Sequence, residues 1–140
     1  MPEKQQIEEL IEAAIGITKM SYAPYSHFHV GAALLTKDGR IYMGCNIENA
    51  AYTPTNCAER TAFFKAVSEG IREFRAIAIV GGQNGKITDY TAPCGVCRQV
   101  MREFCDPKEF WIIMAIDQAH YKIKTLEELF PMGFGPENLK

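Results

Sequence analysis

At 140 residues the chain has the size of one domain and buries roughly 70% of its unfolded surface, too little for two independent cores. Its residues are 47% hydrophobic, 11% aromatic and 23% charged, a balance that excludes coiled-coil, collagen-like and disordered chains. Fifteen Lys plus Arg against seventeen Asp plus Glu give a net charge of −2, which offers no field to a polyanion, so a small ligand is expected rather than nucleic acid.

Ile7, Leu10, Ile11, Ala14, Ile15 and Thr18 recur at helical spacing with Glu8, Glu9 and Glu12 on other faces, which predicts an amphipathic helix over residues 4–20, ended by Pro24. Phe28 to Leu35, the turn signal Lys37-Asp38-Gly39-Arg40 and Ile41-Tyr42-Met43 read as a β-hairpin. Residues 46–56 read as an irregular loop, and Cys57 to about Glu69 as a helix stopped by Gly70. Arg75 to Val80 predicts a strand covered on both faces and ending at Gly81-Gly82. A second helix is expected over 94–104, broken by Asp106-Pro107 ahead of a buried strand from Phe110 to Ile116. His120 to Lys124 alternates as a further strand, and Thr125-Leu126-Glu127-Glu128 has the form of a capping box opening a short helix that Pro131 closes. A hairpin followed by alternating helices and strands predicts an α/β fold: a three-layer α/β/α sandwich with a central mixed five-stranded sheet, in a single domain over 1–140. Met20, Met43, Met101 and Met114 are expected as core filler.

Five cysteines cannot all pair within the chain, and Cys94-Gly95-Val96-Cys97 has the spacing of metal or redox chemistry, which argues for a reducing compartment. The start Met1-Pro2-Glu3-Lys4-Gln5-Gln6 lacks signal-peptide character, and no run of about 18 apolar residues exists, so a cytoplasmic location with no membrane partner is expected. Taken alone, Cys-x-x-Cys leaves structural zinc, redox chemistry and chance open. Cys57 narrows the choice. With Cys94 and Cys97 it puts three thiols at two predicted helix starts, where the dipole favours thiolate, and three protein ligands leave zinc a fourth position for water. Glu59, in the first turn after Cys57, can reach the same space as a proton carrier; an acidic residue favoured there by the dipole alone is the plain alternative. Cys45 and Cys105 stand in no ligand-like pair and are expected in the core. His27 and His29, able to share a strand face, are set aside as zinc ligands because three cysteines suffice.

Cys57-Ala58-Glu59 followed by Pro93-Cys94-Gly95-Val96-Cys97 resembles the signature of zinc-dependent nucleoside deaminases. Phe28-His29-Val30-Gly31-Ala32-Ala33-Leu34, Gly44-Cys45-Asn46-Ile47-Glu48-Asn49-Ala50 and Phe134-Gly135-Pro136-Glu137 narrow the likeness to the small homotetrameric cytidine deaminases. It covers most of the chain from Tyr25 onward, apart from the stretches around 82–92 and 106–121.

The resemblance implies one zinc per chain, held by Cys57, Cys94 and Cys97, turning water into the hydroxide that attacks C4 of the pyrimidine. It implies that Glu59 protonates N3 and then the departing amino group, so that cytidine or 2′-deoxycytidine becomes the uridine product and ammonia leaves, as in pyrimidine salvage. Three thiolates on a divalent cation leave a charge of about −1 that opposes ionising water; Arg60, by the resemblance, offsets it by hydrogen-bonding the sulfurs. Asn46 and Glu48 resemble the pair that holds the ribose hydroxyls from one face of an extended segment. Phe28 resembles the aromatic on the pyrimidine ring, Ala58 is a substrate contact, and Ala50, Tyr52 and Phe134 match positions that reach a neighbouring subunit's site. Two alternatives remain at this point: a deaminase of the aminonucleoside blasticidin, and a non-catalytic zinc-stapled binding module in which Glu59 is dispensable and Cys45 supplies a fourth ligand.

Overall fold

Helix α1, Lys4–Ile17, forms where the apolar spacing places it, opened by a capping box between Glu3 and Gln6. The structure, a computed structural model, describes residues 1–140. Ile7, Leu10, Ile11 and Ala14 make the buried stripe of α1. The α-helical hydrogen bonding ends at Ile17, short of the expected residue 20, and a 3₁₀ turn over Thr18–Met20 finishes the element well before Pro24.

Five strands follow the expected sites: β1 Phe28–Thr36, β2 Ile41–Cys45, β3 Phe74–Gln83, β4 Trp111–Asp117 and β5 His120–Thr125. They form one sheet in the order β2-β1-β3-β4-β5, with β3–β4 parallel and the other pairs antiparallel. Helices α2 Ala58–Ser68, α3 Gly95–Phe104 and α4 Leu126–Leu129 and a 3₁₀ turn over Pro136–Leu139 complete the regular structure. The two sheet faces carry separate cores. Ala33, Leu35, Ala76, Ala78, Val80, Ile113 and Ala115 pack against α1, whereas Ala32, Leu34, Ile77, Ile79, Ile112 and Met114 pack against the other helices. Both faces being covered explains why β3 and β4 read as unbroken apolar runs. The expected three-layer α/β/α sandwich with a mixed five-stranded sheet is therefore observed.

Two expectations change. Strand β3 does not stop at Gly81-Gly82 but runs through them to Gln83, pairing Phe28 with Gln83 and His29 with Gly82. Glycine is used here for close approach: a Cβ on Gly82 would lie 1.9 Å from the Lys86 carbonyl oxygen, and one on Gly81 3.0 Å from the Phe28 ring. Met20 and Met43 are exposed, one in the 3₁₀ turn beyond α1 and the other on the edge strand β2, while Met101 and Met114 are buried as expected. No helix is long and apolar enough to cross a membrane.

Gly44 fixes the helix that matters most. A Cβ there would lie 2.5 Å from both the Ala58 carbonyl oxygen and the Ala62 amide nitrogen, so the first turn of α2 rests directly on the backbone of β2.

Candidate active site

Cys57 is the N-cap of α2 and Cys94 the N-cap of α3, with Cys97 in the first turn of α3. Cys94 Sγ accepts the Cys97 amide at 3.4 Å, which turns it toward the helix end. The Sγ atoms of Cys57 and Cys94 are 3.6 Å apart, and all three sulfurs lie within 4.8 Å of one another. Zinc with Zn–S bonds of about 2.3 Å in a tetrahedron separates its sulfurs by about 3.8 Å, close to the 3.6 Å between Cys57 and Cys94, so this donor set fits zinc. Cys45 and Cys105 are buried elsewhere and do not join the cluster. His27 and His29 do not join it either, and His27, with φ of 57°, precedes β1 instead of sharing its face.

Charge is distributed unevenly over the sulfurs. The hydrogen bond from Cys97, and after it the Arg60 guanidinium, lowers the Cys57 thiol to about 5 against the work of burial. Cys97 is pushed the other way because it donates to Cys57 and is buried. Arg60 Nη2 donates to Cys57 Sγ at 3.2 Å. Burial works against the Arg60 charge, but the bonds to the Cys57 and Cys97 sulfurs outweigh it and raise the guanidinium above its ordinary range. Its Nε is buried without a partner.

Glu59 is only 4% exposed, on the second residue of α2. Burial first, and the Cys57 charge further down, push its carboxyl up to about 7, so the group can both hold and release a proton near neutrality. A buried carboxyl beside three thiols at two helix N-termini is the arrangement of a hydrolytic metal site, not of a closed structural one.

The family model for the cytidine and deoxycytidylate deaminase zinc-binding region matches residues 4–114. The chain belongs to this family. It is 47% identical over 133 residues to a cytidine deaminase of Sporosarcina psychrophila, covering 95% of this chain and 94% of that one. A crystal structure of cytidine deaminase from Burkholderia pseudomallei superposes with a TM-score of 0.82 at 46% identity, covering 90% of this chain and 97% of the other. A blasticidin-S deaminase of Bacillus cereus is 33% identical, covering 93% of each chain.

With the family in view, the other expected site residues sort by what they touch. Asn46 and Glu48 do not stand free on one face of a strand, because the segment is irregular beyond the bridge of Ile47 to Asn56. The Asn46 amide is buried: Oδ1 accepts from Val30 N at 2.9 Å and from Ser21 Oγ, and Nδ2 donates to the Phe28 carbonyl at 2.8 Å. Glu48 is half-buried and accepts from Tyr25 N at 3.0 Å, Ser26 N at 3.1 Å and Ser26 Oγ, so it anchors the turn that leads into β1. Phe28 opens β1 against Gly81, and Ala58 is buried behind Cys57. Ala50, Tyr52 and Phe134 are exposed, with the Tyr52 ring edge-on to Tyr25 at 6.4 Å beside Glu48. A cavity of about 620 Å³ lies at the opposite end of α3, around Arg72, Phe104, Cys105 and Trp111, and shares no residue with the thiol cluster.

Sequence reasoning missed Arg98. Its Nε donates to the Pro93 carbonyl at 2.8 Å and its Nη1 to the Leu129 carbonyl at 2.5 Å, tying the residue before Cys94 to the end of α4. Ser21 and Ser26 were equally invisible, since nothing in their spacing announces a partner more than twenty residues away.

Proposed function

We propose that this chain hydrolyses free cytidine and 2′-deoxycytidine to uridine and 2′-deoxyuridine, releasing ammonia, with one zinc held by Cys57, Cys94 and Cys97. The observation that carries the reading is the buried Glu59 carboxyl in the first turn of α2, at the helix start where Cys57 joins two further sulfurs within 4.8 Å of one another. Zinc bound by these sulfurs supplies Lewis-acid activation of water. Glu59 carries protons to ring N3 and to the departing amino group; a C4–O bond forms, the C4–N bond breaks, and cytidine plus water gives uridine plus ammonia. Arg60 draws charge from the sulfurs through the bond to Cys57 Sγ, a role supported by its 3.2 Å contact.

In this reading Phe28 packs on the base, Ala58 borders it, and Asn46 and Glu48 serve the ribose by shaping the loop with most of their hydrogen-bonding capacity and offering the remainder to the sugar. Ala50, Tyr52 and Phe134 complete the site of a neighbour in a homotetramer, which accounts for their exposure here. One domain over 1–140 carries the activity, in the cytoplasm, with no nucleic-acid or membrane partner. Deamination of blasticidin is the second reading, favoured by the Bacillus cereus relative.

Purified protein is assayed by ultraviolet absorbance on cytidine, deoxycytidine, cytosine and blasticidin S, beside Glu59→Ala. Turnover of the two nucleosides, and a Glu59→Ala protein that keeps about one zinc per chain but loses activity, is expected. Turnover of none of the four compounds overturns the enzyme reading.

A further inference from the structure

The segment after α4 carries Phe134, and the role inferred for its surroundings rests on the proposal that this ring enters a neighbouring subunit's site. Phe134 is 55% exposed, so burial in its own chain does not place it. Its backbone is placed instead by two side chains of α3. Gln99 Nε2 donates to the Phe134 carbonyl at 2.8 Å. Arg102 forks onto Glu137, with Nη1 to Oε1 at 3.2 Å and Nη2 to Oε2 at 3.0 Å. Residues three apart share one helix face, so both contacts act on the same short stretch of tail.

Between those two contacts Gly135 lies against the guanidinium: a Cβ there would sit 2.3 Å from Arg102 Nη1 and 2.5 Å from Cζ. The backbone of Gly135, with φ −148° and ψ −174°, is extended and open to any residue, so what demands glycine is the approach of Arg102. The Gly135 amide also donates to Asn138 Oδ1 at 2.8 Å, closing the 3₁₀ turn Pro136–Leu139. The Arg102 side chain is 13% exposed and its pairing is bidentate, so the guanidinium is held against the tail although the Glu137 carboxylate reaches solvent. The first turn of the same helix supplies Cys94 and Cys97.

We propose that Arg102, assisted by Gln99, is a positioning residue that clasps Gly135–Glu137 onto α3 and thereby sets where Phe134 enters the neighbouring subunit's site. One rigid helix then registers two sites at once: its own chain's sulfurs at one end and the neighbour's substrate wall along one face. Because Phe134 touches no reacting atom, loosening the clasp weakens substrate binding and leaves the chemical step in place.

The test compares Arg102→Ala, Gly135→Ala, the double variant and Phe134→Ala by amide hydrogen exchange and by kinetics on cytidine. Faster exchange of residues 133–139 is expected in both single clasp variants, with KM raised about fivefold to tenfold, kcat within about twofold and zinc content unchanged. The methyl added at position 135 clashes with a flexible guanidinium end, so the fold survives while the fork is displaced. Removing the guanidinium leaves room for that methyl, so the double variant is expected to have a KM no higher than Arg102→Ala alone. Additive effects in the double variant, or wild-type exchange and KM in Arg102→Ala, overturn the clasp. If Phe134→Ala retains both wild-type KM and assembly while Arg102→Ala exchanges faster, the proposed intersubunit role of Phe134 is overturned, and the effect on KM with it.

Discussion

Arg60 touches the Cys57 sulfur, and with the proposed zinc bound the charge balance of the site runs through it. Three thiolates overcompensate a divalent cation, and a guanidinium 3.2 Å from Cys57 Sγ is the nearest counterweight. Arg60→Ala is expected to weaken zinc retention about 10-fold to 100-fold in chelator competition; wild-type retention would remove Arg60 from the site. Cys105 makes the opposite point, a cysteine that acts only through burial. Desolvation raises its thiol far above the ordinary value of 9.0. Above about pH 9 the unfolded chain therefore gives up this proton while the folded chain keeps it. The native state then binds more protons, so stability present below that pH is lost as pH rises, by up to about 1.4 kcal/mol per unit. In thermal melts between pH 8 and 10, the wild type should lose stability more steeply than Cys105→Ala; parallel slopes would show the thiol to be solvated.

At the scale of elements, two glycines hold the two helical layers at their distances from the sheet. Gly31 faces α1, where a Cβ would lie 2.0 Å from the Ala14 carbonyl oxygen, and Gly44 faces α2 with contacts of 2.5 Å to Ala58 and Ala62. Gly31→Ala and Gly44→Ala are each expected to cost about 1–3 kcal/mol in denaturant unfolding, because backbone on one side cannot yield cheaply. Only Gly44→Ala should also weaken zinc retention, since α2 carries Cys57 and Glu59 whereas α1 carries no site residue. Equal loss in both variants would mean that the sheet, not α2, sets the sulfur geometry. The elements themselves were legible because their periods are unambiguous: the α1 stripe, the capping box at Thr125 and the apolar β4 all appear within about two residues of their expected places. The passage of β3 through Gly81-Gly82 was not, because a glycine pair reads as punctuation until Lys86 and Phe28 are seen packed against it. Left-handed backbone at Tyr52 and Met132 was hidden for a related reason, as neither residue type favours it locally.

For the molecule as a whole, the exposed apolar residues set the question of assembly. Tyr52 is 74% exposed and Phe134 55%, in a chain whose other aromatics include the fully buried Phe63 and Phe110. In the proposed assembly these exposed rings are covered by another copy of the chain. Phe134→Ala should shift sedimentation toward smaller species and reduce turnover together, most strongly on dilution. A stable monomer of this variant with full activity would show each site to be self-sufficient.

The sequence by itself determined the layer order, the strand and helix positions and the residues that bring sulfur and carboxylate to two helix starts, because periodicity, capping and ligand spacing are local properties of a chain. Only the tertiary structure decided that Cys57 and Cys94, 37 residues apart, come within 3.6 Å, that Glu59 is desolvated enough to hold its proton near 7, and that Asn46 and Glu48 spend most of their polar capacity on their own chain. Proximity across a fold, and the burial that comes with it, belong to the packed sheet and helices and have no signature in the order of residues alone.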